Sequence, residues 1–202
     1  MVTLRETISN IKADFQRRLL LEGKRPSLLN KLRICVKQGM VGVILYRVSH
    51  FCVYNNLGFL TRFLSIIELL YCKNEVSPMA IIGPGLVFEG VAIGICSSAI
   101  IGKNCTFLGR NTLSLGMIEG VDLNKDAITI GNYCVLGSGA RVMRPINIAD
   151  GIQIKPNSVV MLTETKQGCS LFGIPARRRR IDSIEKITQW NPLLGIPIAE
   201  VK

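Results

Sequence analysis

Apolar side chains in the first third of the chain recur at helical spacing. Thr3 with Glu6 three places on reads as a capping box. Leu4, Ile8, Ile11, Phe15 and Leu19 follow at steps of three and four, so residues 3 to 22 are expected to form a helix with an apolar stripe. GKRPS interrupts it, and Ser27 can cap a second helix through about Gln38. Gly39, Asn55, Asn56 and Gly58 then divide the remaining apolar stretch into two more helices ending near Tyr71, which makes a small helical bundle. From Pro78 the period changes to six. IGKNCT and FLGRNT run on from Ile101, and IGNYCV, LGSGAR, VMRPIN, IADGIQ and IKPNSV run on from Ile130. Each unit opens with Ile, Leu, Val or Phe. A six-residue repeat specifies a parallel β-helix in which each unit supplies one short strand and a turn, and three units close a triangular coil. The opening side chain of each unit points inward and stacks on its counterpart in the next coil, while Gly and Asn serve the tight corners. The repeats suffice for about four coils.

Two places depart from the rhythm. In IGPGLVFEGVAIGI, residues 82 to 95, the step from Phe88 to Ile95 is one residue too long for a hexad, and the irregular corner carries Glu89. Between Leu113 and Ile130 the stretch SLGMIEGVDLNKDAIT predicts a loop leaving the helix body at about 114–128, and loops that interrupt a rigid scaffold are common sites of function. The chain thus divides into a helical domain at 1–75, a β-helix at 76–176 and a basic tail at 177–202. Within that tail IDSIEKITQW, apolar at 181, 184, 187 and 190, predicts a short helix.

Charge adds a partner class. The net charge is +11, and the surplus sits at the ends: residues 1–38 carry nine Lys/Arg against three Asp/Glu, while residues 76–172 carry seven against six. That pattern suits nucleotide phosphates or peripheral contact with a membrane surface, and no nucleic-acid partner is expected. The seven cysteines lie far apart with no C-x-x-C pair, so neither a disulfide framework nor a metal site is indicated; they read as buried apolar residues. MVTLRETISN lacks a signal-peptide core, and Arg47, Arg62 and Glu68 interrupt the long apolar stretch, so the expected location is the cytoplasm, with no membrane span.

With YRVSHF at 46–51, VSPMAIIGPG at 76–85, the hexads, NTLSLG at 111–116, GSGA at 137–140, IKPNSVV at 154–160 and FGIPARR at 172–178, the sequence resembles the left-handed β-helix, hexapeptide-repeat acyltransferases, and among them the serine acetyltransferase branch. The resemblance implies a homotrimer, which can pair into a dimer of trimers through the N-terminal helices. It also implies that acetyl-CoA, the acyl donor, lies in the groove between neighbouring β-helices. By the same resemblance Ser138, Gly139, Pro156, Asn157 and Gly173 fall on positions that hold the cofactor through the main chain. The arginine run that begins with Arg177 and Arg178 is placed for its phosphates.

The family deprotonates its acceptor hydroxyl with a histidine, which suits the task because its pKa lies near the working pH. Here the expected Asp-His pair falls on Phe88-Glu89-Gly90, where Glu89 takes the Asp position and the histidine is deleted; the second expected histidine falls near Ala127. The one histidine in the chain is His50, on a helix in YRVSH. Glu89, the loop carboxylates Asp122 and Asp126, and His50 are the remaining candidates for a base, with substrate positioning alone as the other route. Ser97, Ser98, Ser114 and Ser138 have no histidine at motif spacing, so a serine nucleophile is not expected. The family's substrate-binding aspartate also has no counterpart in GKRPS, whose two cations would repel an ammonium. IKADFQR resembles the members that acetylate sugars for surface polysaccharides. The expectation is therefore an O-acetyltransferase acting on a sugar or polysaccharide precursor. The alternatives are a catalytically silent trimer that binds CoA or a sugar, and serine O-acetyltransferase itself.

Overall fold

A computed structural model describes residues 2–23, 28–116 and 126–179. The helix expected at 181–190, Asp122, and most of GKRPS lie outside the described residues. Four helices come first: α1 (Leu4–Leu21), α2 (Leu28–Cys35), α3 (Gln38–Tyr54) and α4 (Gly58–Ile67), the last running into a π-helical turn at Glu68–Cys72. The chain then winds into the left-handed parallel β-helix that the hexads predict. Strands Glu75–Val76, Gly94–Ile95, Thr112–Ser114, Arg141–Met143 and Val159–Val160 stack as the first face. Ile81–Ile82, Ala99–Ile101, Ile128–Ile130 and Asn147–Ile148 make the second. Val87–Phe88, Thr106–Phe107, Val135–Leu136, Gln153–Ile154 and Ser170–Gly173 make the third, which ends in an antiparallel strand, Ala176–Arg179.

Register explains why the repeat holds. Val76, Ile95, Leu113, Val142 and Val160 pair in one column, and Ile82, Ile101, Ile130 and Ile148 in another; all of them are buried. Each fully buried side chain of this size contributes about 1.5–3 kcal/mol, so the columns stabilise coil upon coil. In the third column Phe88 and Phe107 meet edge to face at 5.7 Å.

The open end of a β-helix leaves backbone groups with no further coil to pair with. Here α1 and α3 supply the partners. Arg47 donates to the Ile82 and Gly83 carbonyls at 2.6 and 2.7 Å. Arg17 donates to the carbonyls of Gly85 and Cys105. The Tyr46 hydroxyl donates to the Ala80 carbonyl at 2.8 Å, and the Leu86 amide donates to Asp14 at 2.7 Å. Asp14 and Arg47 close the network with a paired contact at 2.9 and 3.2 Å.

This contact extends the reading of α1. The capping bond from the Glu6 amide to Thr3 forms, and the C-terminal half of the apolar stripe packs on the core through Phe15 and Leu19, while Leu4 and Ile8 are exposed at 60% and 44%; Asp14, Arg17 and Arg18 are buried as well. Part of the surface that α1 covers is polar backbone, which those charged residues serve. Gly39 has a second task. It stands at the division between α2 and α3 as expected, as the second residue of α3, and an added Cβ there would sit 1.9 Å from the Phe88 carbonyl oxygen; glycine permits close approach to the third face.

Candidate functional site

The corner between the third and first faces gathers most of the residues singled out from the sequence. Glu89 follows the strand Val87–Phe88. One and more coils on, Gly109, then Ser138 and Gly139, then Pro156 and Asn157, and finally Gly173 occupy the same edge. Backbone bonds tie this edge together: the Gly139 amide donates to the Gly109 carbonyl at 3.0 Å, and the Asn157 amide to the Ser138 carbonyl at 2.9 Å. Gly139, at φ +72°, would place a Cβ 2.2 Å from the Asn157 side-chain oxygen. The edge is lined by small residues, as close approach of a ligand to main chain requires. Arg177 and Arg178 do not sit in a free tail. Their strand folds back on Ser170–Gly173, with both side chains exposed and Arg178 at 3.5 Å from Glu164.

Glu89 is engaged. Its carboxylate lies 3.0 Å from the Arg18 guanidinium, which also binds Glu22 at 2.8 Å and the Phe88 carbonyl at 3.1 Å; Lys37 reaches Glu22 at 2.7 Å. Glu89 therefore ties α1 to the first coil. Beside it a Cβ on Gly90 would meet the Leu108 carbonyl oxygen at 2.7 Å and the Gly109 Cα at 2.8 Å, so this corner has no space for a side chain at position 90. Asp126 leads into the strand Ile128–Ile130, at the opposite edge of the first face from the corner that carries Glu89.

His50 belongs to the capping network. Its Nδ1 is 2.8 Å from the Pro78 carbonyl, which can only accept, and the ring lies between Tyr46 and Tyr54 with centroids at 5.7 and 4.8 Å. Burial lowers its pKa, against the carbonyl bond that raises it. His50 thus has a structural task on a half-buried helix face.

Between α4, the π-helical turn and the first face lies a cavity of about 580 Å³, whose walls include Arg62, Glu68, Asn74, Glu75, Thr112 and Ser114. It spans strands of the first face, between the corner that carries Glu89 and the edge that carries Asp126. Glu68 and Asn74 are both 1% exposed, yet Glu68 Oε1 and Asn74 Nδ2 have no hydrogen-bond partner among the described residues. Burial pushes the Glu68 carboxyl up to about 8. Lys73, between the turn and Asn74, holds a left-handed φ of +54°. The π-turn and a strained non-glycine residue are local features that often accompany functional sites. The sequence offered one signal for Glu68, an acid inside the apolar run FLSIIELLY, and that reads as readily as a solvated interruption. No cluster of metal-ligating side chains occurs among the described residues.

No family model matches the chain. A serine acetyltransferase from Helicobacter pylori is 30% identical over 155 residues, which cover 75% of this chain and 88% of that protein. The chain belongs to the serine acetyltransferase family. A Synechococcus elongatus member is 30% identical over 169 residues, and the chain spans 66% of its length. Among solved structures, the serine acetyltransferase of Neisseria gonorrhoeae superposes with a TM-score of 0.74 at 20% identity, covering 88% of this chain and 68% of that one. A serine acetyltransferase in complex with CoA superposes with a TM-score of 0.73 at 20% identity, covering 87% and 71%. At those identities the superpositions establish the shared fold. Against that fold, this serine acetyltransferase family member carries its small-residue edge mostly on the turns between strands, its Tyr46-Arg47-His50 capping group on α3, and no histidine in the β-helix.

Proposed function

We propose that the chain is an acetyl-CoA-dependent O-acetyltransferase whose acceptor is serine or a close hydroxy amino acid. The observation that carries this reading is the match to a serine acetyltransferase over 88% of that protein's length. It favours serine over the sugar acceptor suggested by GKRPS and IKADFQR. The third-to-first edge fits the acyl donor, since Ser138, Gly139, Pro156, Asn157 and Gly173 offer small side chains and main-chain groups in one line. Arg177 and Arg178 are exposed beyond its last coil for phosphate contacts. Outward-facing Ile81 and Ile100 on the second face, 53% and 42% exposed, support self-association as a trimer.

Without a histidine at the corner, rate enhancement rests on approximation of thioester and hydroxyl, on donors to the developing oxyanion, and on a carboxylate base. Glu89 is poorly suited to that last role because Arg18 already occupies its carboxylate. A second reading, a silent CoA-binding trimer, draws on the commitment of His50 to Pro78. Calorimetry with acetyl-CoA, followed by thiol release over a panel of serine and sugar acceptors, separates the readings. Turnover with serine supports the first, binding without turnover supports the second, and absence of acetyl-CoA binding sinks both. Turnover with a sugar alone would restore the sugar acceptor.

A further inference from the structure

Two apolar stripes of the helical domain face outward. Along α2 and just beyond it, Leu29, Leu32 and Val36 recur at steps of three and four, while Ile34 on the opposite side is buried. Along α4 and its π-helical turn, Phe59, Phe63, Ile66 and Leu70 recur in the same way. All seven are exposed, from 51% at Ile66 to 90% at Phe59. The stripes run to one joint: Gln38, two residues after Val36, donates through its side chain to the Tyr71 carbonyl at 3.3 Å, and the Cys72 thiol donates to the Gln38 carbonyl at 3.3 Å. Rows of large apolar side chains left in water mark a surface that meets a partner.

Charge selects the partner. Residues 24–38 carry Lys24, Arg25, Lys31, Arg33 and Lys37 and no acid; among residues 56–74 the one acid, Glu68, is buried, while Arg62 and Lys73 are exposed. A second copy of the chain laid face to face on this surface would set cations against their own kind. A nucleic acid would neutralise the cations but leave the aliphatic side chains in water. An anionic bilayer answers both features, since apolar side chains enter the acyl boundary while Lys and Arg stay among the headgroups, as in helices that lie on a membrane. We propose that α2 and α4 with its turn form a peripheral docking surface for anionic lipid. Among the described residues no helix is long and apolar enough to cross a membrane, and this contact requires none. It holds whichever hydroxyl compound is the acyl acceptor.

The test is co-sedimentation of the full chain with phosphatidylcholine vesicles, made with and without phosphatidylserine, together with its mass in solution by light scattering. The expected result is partition onto the phosphatidylserine vesicles at low salt that weakens as salt rises, with little partition onto phosphatidylcholine alone. Phe59→Ser combined with Phe63→Ser should lower the partition by about tenfold or more. Lys31→Gln combined with Arg33→Gln should lower it by a similar factor, about tenfold, and weaken its salt dependence. All four positions are exposed, so both variants should keep the wild-type melting temperature. If the phenylalanine pair nonetheless melts early, the charge pair, which removes no apolar side chain, decides. No partition of the wild type onto phosphatidylserine vesicles at low salt, a partition indifferent to salt, or a stably folded variant that partitions like the wild type each overturns the proposal. A wild type that ignores vesicles but has a mass in solution that falls in the phenylalanine variant would assign the face to a second copy instead.

Discussion

Two buried polar groups sit where the helices meet the β-helix, and they are built on opposite terms. At one, Asp14 is fully buried but accepts from Arg47 twice and from the Leu86 amide, and Arg47 spends its other donors on coil carbonyls. At the other, Glu68 and Asn74 are as deeply buried, yet each keeps a polar atom unpartnered. Burial pushes both carboxyls up; for Asp14 the Arg47 charge and the backbone amides of Leu86 and Gly85 pull back, while for Glu68 burial acts alone. The difference is one of cost. A satisfied buried network closes the end of a coil, and an unsatisfied one is a buried polar pair whose desolvation nothing among the described residues offsets.

Breaking the satisfied cluster should have the largest effect. Asp14→Ala leaves the Arg47 guanidinium buried with its carboxylate gone, and is expected to cost about 3–5 kcal/mol in urea unfolding with an unchanged denaturant slope. A loss below about 1 kcal/mol would mean that the coil carbonyls alone satisfy Arg47. Next comes Gly39→Ala, where the new methyl must displace the Phe88 backbone oxygen 1.9 Å away; overpacking of this kind costs about 1–3 kcal/mol. Because Phe88 neighbours Glu89, that variant should also disturb the corner, visible as weaker acetyl-CoA binding.

How much of this was readable from residues alone divides along the same line. The β-helix was legible because its interior columns are one-dimensional: an Ile or Val every sixth residue states both the strand and its register, as Ile82, Ile101, Ile130 and Ile148 do. The edge at Ser138, Gly139 and Asn157 was singled out only through the resemblance to the acyltransferase family, since the period itself marks the inward residues and not the corners. The packed face of α1 was legible only in part: Phe15 and Leu19 of the stripe pack on the core, but the burial of Asp14, Arg17 and Arg18 answers carbonyls at the coil end, which no local pattern encodes. The cavity was hidden because Glu68, Asn74 and Thr112 meet only after the first face has formed. The Arg177–Arg179 hairpin escaped notice because a run of arginines looks like a solvated tail.

The unsatisfied cluster should reveal itself through pH. The folded chain holds a proton on Glu68 between its ordinary 4.5 and about 8, whereas the unfolded chain has released it. The folded state then binds more protons, so stability is full below that window and falls as pH rises through it, by up to about 1.4 kcal/mol per unit from this one group. Glu68→Gln should flatten that slope and be the more stable protein at the alkaline end, measured as melting temperature against pH. An identical slope in the two proteins would mean that another group titrates in that window.

The smallest effect is expected at Glu89, and it decides whether that residue is a clamp, like the first cluster, or a base. Its contact with Arg18 is partly exposed on the Glu89 side, at 28%, so Glu89→Gln should cost no more than about 1 kcal/mol. Arg18→Met should cost more, because Arg18 also serves Glu22 and the Phe88 carbonyl, and the double variant should lose less than the two singles combined. On turnover the two roles diverge. A clamp that orients α1 leaves thiol release in Glu89→Gln within about twofold of wild type, with any change in KM and not in kcat. A base would lower kcat by the factor of about 10² to 10⁴ that general-base catalysis supplies. The ion pair at 3.0 Å favours the clamp, and a hundredfold fall in kcat at intact stability would place the chemistry at this corner after all.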